Sequence, residues 1–406
     1  MTVRRILLAD ADAFYVSVAR LVDPDGAGKA PLLIVGGSAE HRGVVTSASY
    51  EARAFGVRSA MPMAQAIRLC PDALVVPVPW QACGAKGGEI RAVLERFTPA
   101  VEQASSDEFY VDLSGTERLY HDEALDVTAR RMRDAVREGT RLTVSIGGGT
   151  SKLVAKLAAG VAKPHPGRAA DGVHVVEAGT EESFMRRFVL ADLPGVGPRA
   201  QERLGRRGLR TVSDVQPLDR RQLANRLGER EGEWLYRCVR GIDDSEVEPH
   251  GEPKSMSRDE TFSTDLDDDE ALARRLLARV DDATSDLREG GWMARTITVK
   301  LRDADFTTRQ ASRTLAEPVA SDRAVYSVAR ELLDRLRAAR RVPARLLGVS
   351  LSQLVRTDAA VQLSLMPQAP GSAVETERDR ALARVIDEVR GRFGPKALGR
   401  GGAGGD

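Results

Sequence analysis

Over the first 170 or so residues, short apolar runs of strand type alternate with stretches whose apolar positions recur every three to four residues. The opening reads as a strand, a turn and the start of a helix. Strand signals follow at Leu32-Leu33-Ile34-Val35 and Val44-Val45-Thr46, and a helix is predicted to begin near Met63. Ile90, Val93, Leu94 and Phe97 carry helical periodicity from Glu89 to Phe97. Ala100-Val101-Glu102 and Phe109 to Leu113 read as strands, and a further helix is predicted from about Ala124 to Glu138. Leu142 to Ile146 reads as a strand that gives way to a loose Gly147-Gly148-Gly149, then a helix through Lys152 to Val161. This alternation points to an α/β or α+β catalytic domain.

Beyond Gly172 the texture becomes helical. Leu193-Pro194-Gly195-Val196-Gly197-Pro198, with a further glycine at Gly208, fits a helix-hairpin-helix whose tight turn aims backbone N–H groups at a phosphate. Either glycine alone would be an ordinary helix C-cap. Gly241 to Ser257 is rich in Gly, Pro and charge and reads as a tether. A last globular unit reaches about Arg356, with strands at Thr296–Leu301 and Leu346–Leu351 and two helices. After it the chain loosens and ends in a glycine-rich segment expected to be disordered.

A length of 406 residues suggests two to four domains, and 42% apolar with 29% charged residues describes a globular chain. No apolar run approaches a membrane span, and the N-terminus does not read as a secretory signal. Three scattered cysteines (Cys70, Cys83, Cys238) and five histidines form no ligand-spaced set, which argues against a disulfide framework or structural zinc and for a cytoplasmic chain. A net charge of +1 hides an uneven distribution: Arg295 to Arg356 holds 13 Lys+Arg against 6 Asp+Glu, while Asp265 to Glu270 is nearly all acid. Such a basic segment is the footprint of a module that binds nucleic-acid backbone, the alternative being a generally Arg-rich composition.

The candidate chemistry lies in Asp107-Glu108 and in Asp10, each at or within a strand-like run. Strand ends can present acids to a shared point in a cleft, and three hard oxygen ligands there suit Mg²⁺. Two such ions about 3.5–4 Å apart form the clamp used in phosphoryl transfer, which suggests nucleotidyl transfer. An isolated Asp-Glu pair usually sits on a solvated loop; the surrounding motifs change that reading.

The order of these motifs resembles one family, the Y-family translesion DNA polymerases, and within it the DinB or DNA polymerase IV branch. The likeness runs from about Arg5 to Met366. It implies an α+β multidomain right hand: palm at 1–20 and 80–172, fingers at 21–79, helical thumb at 173–241, linker at 242–257, little finger at 258–356, and a tail to 406. Asp10, Asp107 and Glu108 match the family's metal-binding acids, with the Ala11 carbonyl as a backbone ligand, for two Mg²⁺ ions or Mn²⁺ as an alternative. Asp12 and Asp112 match no ligand position and are expected to be structural. Tyr15 aligns with the steric gate that excludes ribose, and Phe14 is expected to line the same pocket. Tyr50, Arg53 and Lys163 match triphosphate-binding positions, and Lys152 a further basic one. Gly195 and Gly197 would meet DNA, as would the basic residues of the little finger. Gln362-Leu363-Ser364-Leu365-Met366 resembles the peptide that binds the sliding clamp. The implied partners are primer–template DNA, dNTPs and that clamp, the implied state a monomer.

Four positions depart from the family pattern. Ser151 precedes Lys152 where Asn is usual, Cys83 and Gly87 stand for Tyr and Ser, and Phe109 replaces a small residue. None is a metal ligand. A non-catalytic branch of the family, the ImuB-like accessory proteins, keeps the fold and clamp peptide but lacks the acids, so a silent scaffold is the rival reading. A palm-fold nucleotide cyclase would share the acids but not the helix-hairpin-helix, the basic last unit or the clamp peptide.

Overall fold

A computed structural model describes residues 3–164, 171–358, 375–394 and 397–398. The chain forms two compact units, one of Met1–Ala39 and Gly43–Gly251, the other of Glu40–Arg42 and Glu252–Asp406.

The first unit begins with β1 (Ile6–Ala11) and α1 (Phe14–Val22). A small subsheet follows, made of β2 (Leu33–Gly36), β3 (Val45–Ala48) and β4 (Leu74–Val76) in the order β3-β2-β4. Helices α2 (Tyr50–Ala54) and α3 (Met63–Leu69) accompany it, and Ile34, Val45, Ala52, Met63 and Ala66 form its core. Next come α4 (Trp80–Glu95), β5 (Val101–Gln103), β6 (Glu108–Asp112), α5 (Leu125–Thr140), β7 (Val144–Gly149), α6 (Lys152–Ala162) and β8 (Val173–Val175). They complete a five-stranded sheet of order β5-β6-β1-β7-β8 with β1 at its centre.

All six residues of β1 are buried because both sheet faces are covered. Leu7, Ala9 and Ala11 face a core shared with Ile90 and Leu94 of α4 and Met132 and Val136 of α5. Ile6 and Leu8 face Ala155 and Ala159 of α6. Side chains alternate along a strand, so Asp10 continues the Ile6–Leu8 row on the α6 face.

Gly147–Gly149 are buried in β7 rather than forming the loose stretch expected from the sequence. At Gly147 a Cβ would stand 2.0 Å from the Ala159 nitrogen and 2.2 Å from the Ala155 carbonyl oxygen, so only glycine lets α6 lie this close to the sheet. Helix α4 also starts nine residues before the expected Glu89. Gly84, Gly87 and Gly88 disguise its first half, since glycine is a poor helix former.

Five helices follow: α7 (Glu181–Met185), α8 (Pro198–Gly205), α9 (Val212–Val215), α10 (Arg220–Leu227) and α11 (Glu229–Cys238). Their core joins Leu193, Val196, Leu204, Val212, Leu223 and Leu235 to Val154 and Leu157 of α6. One helix therefore supports the sheet on one side and the helical region on the other. The start of the stretch expected as a tether lies along α6: Ser151 Oγ donates to the Gly241 carbonyl (3.0 Å), and Leu153 N–H donates to Asp243 Oδ2 (3.0 Å).

The second unit consists of β9 (Ser255–Leu266), α12 (Asp269–Glu289), β10 (Trp292–Asp303), β11 (Thr308–Val319), α13 (Asp322–Ala339), β12 (Ala344–Arg356) and α14 (Glu377–Phe393). Its antiparallel sheet has the order β11-β10-β12-β9, and the strand β9 begins inside the expected linker. Ile297, Val299 and Leu301 pack inward with Leu276, Val280, Val328 and Leu332 of the two long helices. The basic surplus read from the sequence is largely paired: Arg309 and Arg340 with Asp303, Arg337 with Asp267 and Asp269, Arg330 with Glu270. The row of β10 opposite its core side chains carries hydroxyls, with Thr296 on Thr314 and Thr298 on Ser312, both at 2.9 Å. Helix α14 corrects the expectation of a loose tail. Arg288–Asp387 (2.6 Å) and Arg390–Asp281 (2.7 Å) clip it to α12. No helix among the described residues is long and apolar enough to cross a membrane.

Candidate active site

The β1–β6 register sets Asp10 directly opposite Glu108, so both carboxylates leave the same sheet face toward α6. Asp107 is brought in by the backbone: its carbonyl accepts the Ala11 N–H at 2.9 Å. Its carboxylate accepts from Ser105 Oγ at 2.7 Å. The three sequence-predicted acids and Ala11 thus gather at one end of the central strands.

Helix α6 answers these acids with lysines. Lys156 Nζ lies 2.6 Å from Glu108 Oε2, Lys163 Nζ 2.7 Å from Asp10 Oδ1, and Lys152 Nζ 2.7 Å from both oxygens of Glu102. Lys156 was not singled out from the sequence. Its signal was present there: spacings of four and seven residues from Lys152 and Lys163 put all three on one helical face.

Among the described residues, no three Asp, Glu, His or Cys side chains stand close enough together to hold an ion. The donor set nevertheless fits a hard divalent cation. Burial pushes Asp10 up to about 6 against the pull of Lys163, and the Glu108 and Asp107 charges push it the same way. A desolvated carboxyl repelled by two acid neighbours is where added positive charge is favoured. The residues that would hold Mg²⁺ are Asp10, Asp107, Glu108 and the Ala11 carbonyl.

Asp12 turns inward, accepting from Ser145 Oγ at 2.7 Å, while its own N–H donates to the Thr143 carbonyl at 2.9 Å. That structural use agrees with its expected role. Ala13 follows in the left-handed region (φ 44°), and this sharp reversal starts α1 with Phe14 and Tyr15 beside the acids. Phe14 is only 2% exposed and belongs to the core, where it meets the Tyr15 ring edge-on at 5.3 Å. Tyr15 remains partly open, its hydroxyl donating to Ser106 Oγ at 3.1 Å and its ring 6.0 Å from Trp80. Trp80, 67% exposed, is an aromatic neighbour of Tyr15 that the sequence did not single out.

Tyr50 opens α2, which is capped by Ser49 Oγ accepting the Ala52 N–H (3.2 Å). Arg53 stacks on the Tyr50 ring at 5.3 Å and donates from Nε to the Ala48 carbonyl at 2.9 Å. Burial, reinforced by Asp12 and Asp10 and opposed by Arg53, pushes the Tyr50 hydroxyl up to about 12, so it remains a donor.

The departures at Ser151, Gly87, Cys83 and Phe109 have structural readings. Ser151 caps α6 by accepting the Val154 N–H (3.2 Å). A Cβ at Gly87 would lie 3.2 Å from the Ser106 carbonyl, so α4 can back the acidic loop closely. Cys83 and Phe109 are core residues. In the helical region Gly195 has φ +91° beneath Trp234, and Gly197 is the N-cap of α8. The peptide with Gln362, Leu363, Leu365 and Met366 lies outside the described residues.

The chain is similar to known proteins along nearly its whole length. The impB/mucB/samB family matches over residues 9–160 and its C-terminal domain over 253–365, with a DNA polymerase-iota thumb domain between them at 191–243. DNA polymerase IV of Caulobacter vibrioides is 37% identical over 394 residues, covering 97% of this chain and 93% of its own. That of Desulfatibacillum aliphaticivorans is 36% identical, covering 97% and 95%. Among solved structures, a Y-family DNA polymerase chimera shares the fold with a TM-score of 0.77 at 23% identity, covering 87% of this chain and 99% of its own. Likeness this high across nearly the whole length, with domain matches in the same order, means that the chain belongs to the DNA polymerase IV branch of the Y-family polymerases.

Proposed function

We propose that this chain is a template-directed, low-fidelity DNA polymerase of translesion synthesis that adds dNTPs to a primer 3′-hydroxyl. The observation that carries the reading is the Asp10–Glu108 cross-strand pair with Asp107 tied to the Ala11 N–H. The sheet around β1 would be the palm, the β2–β4 segment the fingers, the α7–α11 region the thumb, and the β9–β12 unit the little finger.

When bound at these oxygens, two Mg²⁺ ions, or Mn²⁺ in their stead, supply activation of the primer hydroxyl and neutralisation of the leaving pyrophosphate. The chain's own groups do the rest. Tyr50 offers a hydroxyl donor and Arg53 a charged fork to the triphosphate, with Lys163 as a point charge. Tyr15 would act as the steric gate against a ribose 2′-hydroxyl, as its match to the family position suggests. The small fingers segment leaves an open site with little leverage against mispairs, which supports low fidelity. Gly195 and Gly197 open the hairpin before α8 to a DNA phosphate. Gln362, Leu363, Leu365 and Met366 would dock on the sliding clamp, with the polymerase itself a monomer. Three buried, unbridged cysteines support a cytoplasmic setting.

Primer extension on a defined template, with dNTPs or rNTPs and with Mg²⁺ or Mn²⁺, tests the reading against Asp107→Ala. Metal-dependent dNTP extension that vanishes in the variant is expected. Clamp and DNA binding without any extension would turn the reading to a silent scaffold.

A further inference from the structure

We propose that Lys156 is a placeholder for the divalent cation at Glu108: it holds the carboxylate in the metal-free chain and turns aside as the cation enters. The inference rests on the reading of Asp10, Asp107 and Glu108 as cation ligands.

An ammonium 2.6 Å from Glu108 Oε2 occupies the place and supplies the charge that a cation on that oxygen would bring. Lys163 does the same at Asp10, 2.7 Å away. Asp107 has no ammonium among the described residues; a serine hydroxyl serves it instead. Two lysines against three acids leave about one negative charge, a weak attraction for a divalent ion. Cation entry therefore competes with an ion pair already formed.

Lys156 also has somewhere to go. It lines a cavity of about 330 Å³ together with Tyr110, Trp234, Arg237, Asp243 and Asp244. The Lys156 side chain is 37% exposed, which leaves its head free to change rotamer. Swinging toward Asp243, whose carboxylate accepts from Leu153 N–H, Ser245 N–H and Ser245 Oγ, would keep the ammonium near negative charge while clearing Glu108. Asp244 is already paired with Arg237. Lys163 has a different destination, because its position matches the family's triphosphate contact. Lys156 thus separates the free site from the loaded one.

Mn²⁺ binding to the full chain, followed by electron paramagnetic resonance without DNA or nucleotide, tests this. Lys156→Gln is expected to bind Mn²⁺ about five-fold more tightly than the native chain, the fold-change of one partly exposed ion pair. Lys156→Arg, which retains the pair, is expected to match the native chain. Equal or weaker binding by Lys156→Gln overturns the proposal. Adding Glu108→Gln separates the two readings. If it weakens Mn²⁺ binding while Lys156→Gln has no effect, only the placeholder fails; if it changes nothing, the cation site itself is wrong. A second readout uses the native protein and so does not depend on the variant folding. Acylation of Lys156, read by mass spectrometry, should accelerate when Mn²⁺ is added, and an unchanged rate rejects the placeholder.

Discussion

Asp10 and Glu108 face each other across the β1–β6 ladder, and each carries a lysine, Lys163 from the C-cap of α6 and Lys156 from within it. The pairing places two acids distant in sequence on one sheet face, while the lysines limit their mutual repulsion. Asp107 stands at the edge of this arrangement, joined through the backbone. Replacing it should therefore remove chemistry with little loss of fold. Asp107→Ala is expected to lower single-nucleotide incorporation by at least about 100-fold with a nearly unchanged melting temperature. A melting temperature that collapses with the activity would make Asp107 a structural residue instead.

Tyr15 is held by Ser106 on one side and edge-on rings on the other, so its position is rigid. Tyr15→Ala should reduce the preference for dNTP over rNTP, measured as the ratio of kcat/KM values, by about 100-fold. Unchanged discrimination would mean that ribose is excluded elsewhere in the pocket.

Asp10 supplies a pH dependence of known sign. Its folded-state value of about 6 lies above the ordinary 3.8, so between these limits the folded chain binds the extra proton. Stability of the metal-free protein should then fall as pH rises from about 4 to 6, by up to about 3 kcal/mol at 1.36 kcal/mol per unit. Urea unfolding across that window, native minus Asp10→Asn, isolates the contribution. A difference that does not vary with pH would show that Asp10 keeps an ordinary affinity for its proton.

Gly147 sets how closely α6 approaches the sheet. Gly147→Ala would drive a methyl group into the Ala155–Ala159 backbone and should cost about 1–3 kcal/mol or more. Because α6 carries Lys152 and Lys156 and is capped by Lys163, incorporation should fall along with stability. A variant that keeps both would mean that the helix can withdraw freely.

Asp303 is fully buried between Arg309 (2.9 Å) and Arg340 (2.6 Å) at the end of β10. Breaking a buried charge cluster from one side leaves the partners uncompensated. Asp303→Asn should destabilise the second unit by about 3–5 kcal/mol. Limited proteolysis should then cut within 252–358 before the first unit is attacked; cleavage in the opposite order would count against it.

Much of the site was legible as text. Asp10, Asp107, Glu108, Tyr15, Tyr50 and Arg53 sit in local motifs, and a motif of five to nine residues survives in the sequence whatever packs around it. The short apolar run of β1 and the three-to-four spacing in α5 likewise announced strand and helix, because each element buries one face or both. Other features had weak local signals. The glycines of α4 masked its first half and those of β7 read as loose, yet tertiary contact holds one stretch helical and the other extended: Cys83 and Gly87 pack inward, and Ala155 and Ala159 fit against Gly147. Helix α14 was hidden for a related reason. Its anchors, Asp281 and Arg288, lie about a hundred residues earlier and look like ordinary surface charge until folding brings them together.

The sequence by itself determined the kinds of element, the family and the residues able to do chemistry, since these depend on composition and short-range spacing. Only the tertiary structure decided which charges meet. It set Glu108 across from Asp10, gave each a lysine and paired most of the basic surplus of the last unit with acids. The physical reason is one of range. Propensity and periodicity act over a few residues, whereas the burial and Coulomb terms that tune a site act over a few ångströms between residues separated by up to about 150 positions.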